Sequence, residues 1–198
     1  MAREALRAAA LLALALLAAC RTPPPALPES VPWDVRRPAL QARAHFELRG
    51  RVAVATGSEG FNASLRWLQD GTRTQLTLEG PLGVGGVQVT AAGDALSLVT
   101  SRGDRVESDA ARAELLARLG FDPPLDQLRY WVQGVPDPAQ PATETLDPGQ
   151  QRLATLTQDG WQIDYLGYRA AGGEVLPARL TMQRESVRVR LVVDDWRR

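Results

Sequence analysis

Residues able to do chemistry are few here, and their spacing suits almost none of it. The 198-residue chain carries a single cysteine, Cys20, and a single histidine, His45, so it can build neither a Cys/His metal site nor an internal disulfide. Ser64, Ser97, Ser101, Ser108 and Ser186 have only His45 as a base and none sits in a Gly-x-Ser-x-Gly elbow, which leaves serine hydrolysis without a constellation. The run Gly80-Pro81-Leu82-Gly83-Val84-Gly85-Gly86 is glycine-rich but lacks the Lys-Ser/Thr of a phosphate loop, and it separates strands rather than opening a helix. Asp194 and Asp195 are neighbours in sequence only, because adjacent strand residues face opposite sides. No catalytic residue, metal or cofactor is expected, and the chain is not read as an enzyme.

Cys20 has a different chemistry available. Arg3 and Arg7 precede an apolar run from Ala8 to Ala19, which ends in Leu17-Ala18-Ala19-Cys20. Twelve residues are too few to cross a hydrocarbon core that needs about 20 helical residues, so the run reads as a signal-peptide core. Its end resembles the bacterial lipobox, in which the cysteine thiol is lipidated and becomes the first residue of the mature protein. Residues 1–19 are therefore read as signal peptide, and Cys20 to Pro32 as lipidated cysteine plus tether. Thr22 to Pro32 holds five prolines in eleven residues, a composition that extends into a semi-rigid polyproline spacer. Residues 33–198 form one domain. Arg21 after the cysteine fits outer-membrane sorting in a Gram-negative bacterium. The only covalent addition expected is the lipid on Cys20.

The charges point away from nucleic acid. All the basic residues are arginine, and 23 of them balance 23 acidic residues, with no excess to displace counterions from phosphates. Cleavage before Cys20 removes Arg3, Arg7 and Glu4, leaving 21 arginines against 22 acidic residues. Attachment to a membrane must then come from acyl chains, at roughly 0.8 kcal/mol per buried CH₂.

Elements that could position a site follow from periodicity. Trp33 to Ala44 predicts a short helix interrupted at Pro38. From Phe46 the period becomes two: Phe46, Leu48, Val52 and Val54, then Ala63, Leu65 and Trp67, alternate with polar or small neighbours as half-buried strands do. Leu76 and Leu78, Val87 and Val89, and Leu96 and Leu98 continue the series through short turns, which makes the pairing antiparallel. Ser108 or Asp109 is placed to cap a helix bearing Leu115, Leu116 and Leu119. Asp122-Pro123 opens a second helix with Leu125, Leu128, Trp131 and Val132 on one face, ending at Gly134. A loop from Val135 to Gly149 leads back to strands at Arg152–Thr157, Trp161–Tyr168, Val175–Gln183 and Val187–Val193. About ten one-sided strands exceed what two or three short helices can cover. The sheet must curl, and either fill its own interior or leave an apolar cavity.

Gly80-Pro81-Leu82-Gly83 suits a type I turn, whose Leu82 either folds back on the core or stands at the loop tip. Trp67, this turn, Leu128-Arg129-Tyr130-Trp131 with Gly134-Val135-Pro136, Gly160-Trp161-Gln162-Ile163-Asp164-Tyr165 with Tyr168, Leu176-Pro177 and Trp196 follow one another after the lipobox. In that order they resemble the LolB family of outer-membrane lipoprotein receptors, over nearly the whole mature chain. Gly85-Gly86 departs from the family, whose members more usually run straight from the turn into a strand.

The resemblance implies a mainly β, LolA/LolB-like fold: an open antiparallel β half-barrel of ten or eleven strands with a helical lid over an apolar cavity. It implies that lipoprotein acyl chains are accepted from the periplasmic carrier LolA and passed to the inner leaflet of the outer membrane. It also implies that Pro81, Leu82 and Gly83 form a membrane-insertion loop. From alternation, the expected cavity lining is Val52, Val54, Leu65, Trp67, Leu76 and Leu78 with Val89, Leu96, Leu98, Trp131, Ile163 and Tyr165. Met182, Val189 and Leu191 complete the wall, and Leu115, Leu116 and Leu119 belong to the lid. A monomer is expected. The competing expectation is a lipid-anchored envelope scaffold whose core is filled and whose outer surface binds a protein or cell-wall partner.

Overall fold

The computed structural model describes residues 31–81 and 85–197. Cys20, with the signal and most of the tether, and Leu82 and Gly83 of the glycine-rich loop lie outside the described residues. In chain order the elements are α1 (Trp33–Gln41), β1 (His45–Thr56), β2 (Glu59–Asp70), β3 (Arg73–Glu79), β4 (Val87–Ala92), β5 (Ala95–Thr100) and β6 (Arg105–Glu107). There follow α2 (Ser108–Leu119), α3 (Leu125–Trp131), β7 (Ala142–Leu146), β8 (Leu153–Gln158), β9 (Trp161–Ala171), β10 (Glu174–Arg184) and β11 (Val187–Arg197).

All eleven strands form one antiparallel sheet in the order β6-β5-β4-β3-β2-β1-β11-β10-β9-β8-β7. The first and last strands lie side by side at its centre, and β6 and β7 are its free edges, so the sheet is a half-barrel and not a closed one. Every connection but one is between sheet neighbours. The exception is the chain from β6 to β7, which carries α2 and α3 across the concave face from one edge to the other.

Alternation decides which side chains meet there. Phe46, Leu48, Gly50 and Val54 on β1 and Ala63, Leu65, Trp67 and Gln69 on β2 are buried, while Arg49, Arg51, Ser64 and Arg66 between them are exposed. The outward arginines find carboxylates: Arg51 pairs with Asp194 at 2.9 Å, and Arg66 and Arg49 both reach Glu47. Partial burial pushes the Glu47 carboxyl up, but the two arginine hydrogen bonds outweigh it and hold the group below the usual carboxylate range. Gly50 marks a bulge, where the register with β11 shifts between Arg49 and Gly50. A Cβ at Gly50 would stand 2.2 Å from the Val192 carbonyl oxygen, so only glycine fits.

Four sequence expectations are corrected. No periodicity marks β6, and β7 lies within the expected loop from Val135 to Gly149, because Ala142-Thr-Glu-Thr-Leu146 has no large apolar alternation and is drawn into the sheet by pairing with β8. α1 runs through Pro38 to Gln41 rather than stopping there. α2 starts straight out of β6, with extended Glu107 preceding it and no side-chain cap, so neither Ser108 nor Asp109 caps it. α3 begins at Leu125 after Pro124, two residues later than Asp122-Pro123 indicated. Among the described residues one core cluster fills the concave face, and a smaller one of Leu40, Val135 and Leu176 packs α1 against β10.

Candidate functional site

The pairing register draws the inward rows of the sheet. Leu48, Trp67, Leu76, Val89 and Leu98 lie in one row across β1 to β5, and Val54, Val189, Met182, Ile163 and Leu156 in another across β1 and β11 to β8. Over the centre of the first row and the Val54–Met182 end of the second, under the helices, an apolar cavity of about 90 Å³ remains. Its strand wall is Val52, Val54, Leu65, Trp67, Leu76 and Leu78 with Val89, Met182, Val189 and Leu191, and Leu115 and Leu119 close it from α2. These twelve are sequence candidates.

The other six candidates sit elsewhere. Leu98, Trp131 and Ile163 are fully buried in the core beside the cavity wall, with Leu96 and Tyr165 nearly so. Leu116 is 47% exposed: on α2 the inward stripe is Ala111, Leu115 and Leu119 at four-residue spacing, which turns Leu116 to solvent. Six lining residues were missed, namely Phe61, Phe121, Pro123, Leu125, Leu128 and Val132. Phe61 continues the β2 alternation one step toward its start, and Leu125, Leu128 and Val132 belong to the helical face already recognised. Phe121 and Pro123 lie in the α2–α3 connection, where no periodicity marks them.

Trp67 and Trp131 have their indole N–H groups hydrogen-bonded. The Trp67 indole N–H donates to Gln69 Oε1 at 3.0 Å, which also accepts from Thr74 Oγ1 at 2.8 Å, so Trp67 turns only carbon inward. Trp131 Nε1 donates to Gln158 Oε1 at 2.8 Å, and Tyr165 OH donates to the Trp131 carbonyl at 2.9 Å. These bonds staple the end of α3 to β8 and β9. Burial pushes the Tyr165 hydroxyl well above its ordinary pKa, and it does the same to Tyr168, whose OH donates to the Leu153 carbonyl at 2.6 Å. Phe121 stacks on Trp161 at 5.7 Å, and Trp161 on Trp131 at 6.2 Å. α2 packs on β5 and β6, and its far end is held by Gly120 and Thr56. Gly120 takes the left-handed φ of 76° that ends the helix, and Thr56 Oγ1 donates to the Leu119 carbonyl at 3.2 Å.

The site offers apolar volume and no reactive group. His45 pairs with Asp70 at 2.9 Å on the surface, while Asp194 and Asp195 turn to different arginines, Arg51 and Arg197. Among the described residues no group of three His, Cys, Asp or Glu is placed to hold a metal ion, and no helix is long and apolar enough to cross a membrane.

Residues 44–196 match the family described as Outer membrane lipoprotein LolB. The chain is 34% identical to the outer-membrane lipoprotein LolB of Nitrosococcus oceani, over 94% of each chain. It is also 34% identical to that of Stutzerimonas stutzeri, over 83% of this chain and 79% of the relative. Among solved structures, a LolA superfamily protein from Nitrosomonas europaea has the same fold, with a TM-score of 0.50 at 11% identity over 85% of this chain and 94% of that one.

Proposed function

Since this chain belongs to the LolB family of outer-membrane lipoproteins, which localise lipoproteins and are not enzymes, we propose that it takes lipoprotein acyl chains from a LolA-type periplasmic carrier and releases them into the outer membrane. The observation carrying this reading is the wholly apolar cavity between the concave sheet face and the α2–α3 lid. Lipidation at Cys20 tethers the protein to the membrane from the periplasmic side, and Leu82 at the loop after Pro81 enters the bilayer during release.

Energetics restrict the route. A triacylated client exposes about 45 methylenes, at roughly 0.8 kcal/mol each, or more than 30 kcal/mol in water. The chains therefore pass from shelter to shelter. No nucleotide-binding motif supplies work, so transfer runs down an affinity gradient from carrier to receptor to bilayer. Free volume of about 90 Å³ is far below the roughly 300–1,000 Å³ of drug-sized ligand sites. Entry thus requires the wall to part. Movement of the α2–α3 lid away from the concave face enlarges the cavity without breaking the sheet.

Two measurements test this. An apolar fluorescent dye should bind the protein and be displaced by palmitate; a filled core that binds neither overturns the reading in favour of the scaffold. Replacing Leu82→Glu should leave uptake of lipoprotein from the carrier intact while release into liposomes falls, and unaltered release refutes the insertion role.

A further inference from the structure

A groove of about 550 Å³ crosses the convex face of the sheet from β3 to β11, at the foot of the glycine-rich loop. Gly80 and Pro81 form its end at the loop, Asn62 and Ser64 its middle, and Arg51 and Arg190 its far wall. The pairing register sets these outward positions side by side. Ser64 stands opposite Glu79 and Arg51, and Ala53 stands opposite Asn62 and Arg190.

Uncommitted positive charge gathers beside the groove. Arg179, Arg188 and Arg190 point outward from β10 and β11 and are exposed. Among the described residues none of the three has a carboxylate partner, and Arg188 reaches only the Gln183 amide oxygen, at 3.1 Å. The neighbouring arginines differ, since Arg49, Arg51, Arg66 and Arg197 are matched by Glu47, Asp194 and Asp195. Glu79 is the one carboxylate among the lining residues. It stands three strands from Arg190, about 14 Å at the usual strand spacing and beyond a Debye length.

Resting on the reading of the loop as the part that enters the bilayer, we infer that this groove and the arginines beside it bind phospholipid phosphates of the leaflet the loop enters. A loop tip among acyl chains brings the foot of the loop to the depth of the headgroups, so the groove lining meets phosphate there. Guanidinium suits that partner, because it is always charged, weakly hydrated, and forked to match two phosphate oxygens. Arg190 is free to make the contact, and the Ser64 hydroxyl and Asn62 amide supply neutral donors beside it. Each arginine brought to an anionic surface strengthens attachment roughly fivefold, so Arg188 and Arg190 together contribute about 25-fold. The chain as a whole carries no net charge, and the attraction arises from where its charges are placed.

The test uses the lipidated protein in vesicles, where acylation of Cys20 leaves an introduced cysteine as the only free thiol. A nitroxide on Ala55→Cys, exposed on β1 opposite Arg188, reports collisions with a water-soluble nickel chelate. At low salt these should be about fivefold rarer in vesicles of phosphatidylethanolamine and phosphatidylglycerol than in vesicles of phosphatidylethanolamine and phosphatidylcholine, and high salt should remove the difference. Arg188→Gln with Arg190→Gln should bring the two vesicles to within twofold; neither arginine is in an ion pair, and matching melting curves verify the fold. A nitroxide on Thr145→Cys, on the edge strand β7, should read the same in both vesicles, and equal protection there would mean a general attraction and overturn the site. Equal exposure of the Ala55→Cys label in both vesicles, or protection that survives the double variant, overturns this inference; if Leu82→Glu still lowers release, the insertion reading stands without it. A double variant slowed instead in taking client from the carrier assigns the surface to the carrier and overturns the lipid site. Equal exposure together with normal release by Leu82→Glu removes both readings.

Discussion

Gln158 is the side chain on which the α3 half of the lid depends, and its removal can be worked through bond by bond. It is 2% exposed, and both ends of its amide are saturated. Oε1 accepts from Trp131 Nε1 at 2.8 Å and from the Asp137 backbone N–H at 2.9 Å, while Nε2 donates to the Asp137 and Gln140 carbonyls, each at 2.9 Å. Gln158→Ala leaves two buried donors without acceptors, at about 1–3 kcal/mol each, and strips two carbonyls of a partner. A net loss of about 4 kcal/mol follows, which for a domain of this size lowers the melting temperature by roughly 8–16 °C. With a urea m-value of about 2 kcal/mol/M, the unfolding midpoint moves down by about 2 M. Gln158→Met separates the hydrogen bonds from the volume, since it fills the same space and satisfies none of the four groups. The expected outcome is that Met loses nearly as much as Ala, in urea titrations followed by tryptophan fluorescence. A Met variant within about 1 kcal/mol of the parent would refute the claim that the amide, and not packing, holds α3 against β8.

Gly120→Ala forces an L side chain into a left-handed φ of 76° with its Cβ 3.1 Å from the Thr56 side chain, and should cost about 1–3 kcal/mol in thermal melts; a neutral result would mean that α2 is not pinned there. Burial raises the Tyr165 and Tyr168 hydroxyl pKa values above the unfolded value, so the unfolded state releases these protons first. Their contribution is fully present below pH about 10 and is lost as pH rises from there toward the folded values. Stability measured from pH 8 to 11 should fall, and Tyr165→Phe with Tyr168→Phe should flatten that fall; an unchanged slope refutes the assignment.

Legibility differed by level. Facing was readable wherever a strand alternates, so Val52, Val54, Leu65, Trp67, Leu76, Leu78, Val89, Met182, Val189 and Leu191 reach the cavity wall as the period-two pattern predicts. Facing says nothing about position along a row. Leu98 and Ile163 point inward like Val89 and Met182 but lie outside the cavity wall, because packing against segments remote in sequence sets which part of the concave face stays uncovered. Leu116 shows the same limit on a helix, where three leucines in five positions do not reveal which two face the sheet until the sheet is in place.

The chain's own residues determined the one-sided strands, the helical pair between two runs of strands and the missing catalytic groups, since each follows from local side-chain chemistry and short-range period. Tertiary structure alone decided that β6 and β7 are strands, that the sheet stays open between them, and that an apolar cavity remains under the helices. Those outcomes depend on contacts between distant segments, and a curved sheet fixes which segments meet only once every strand has found its neighbour.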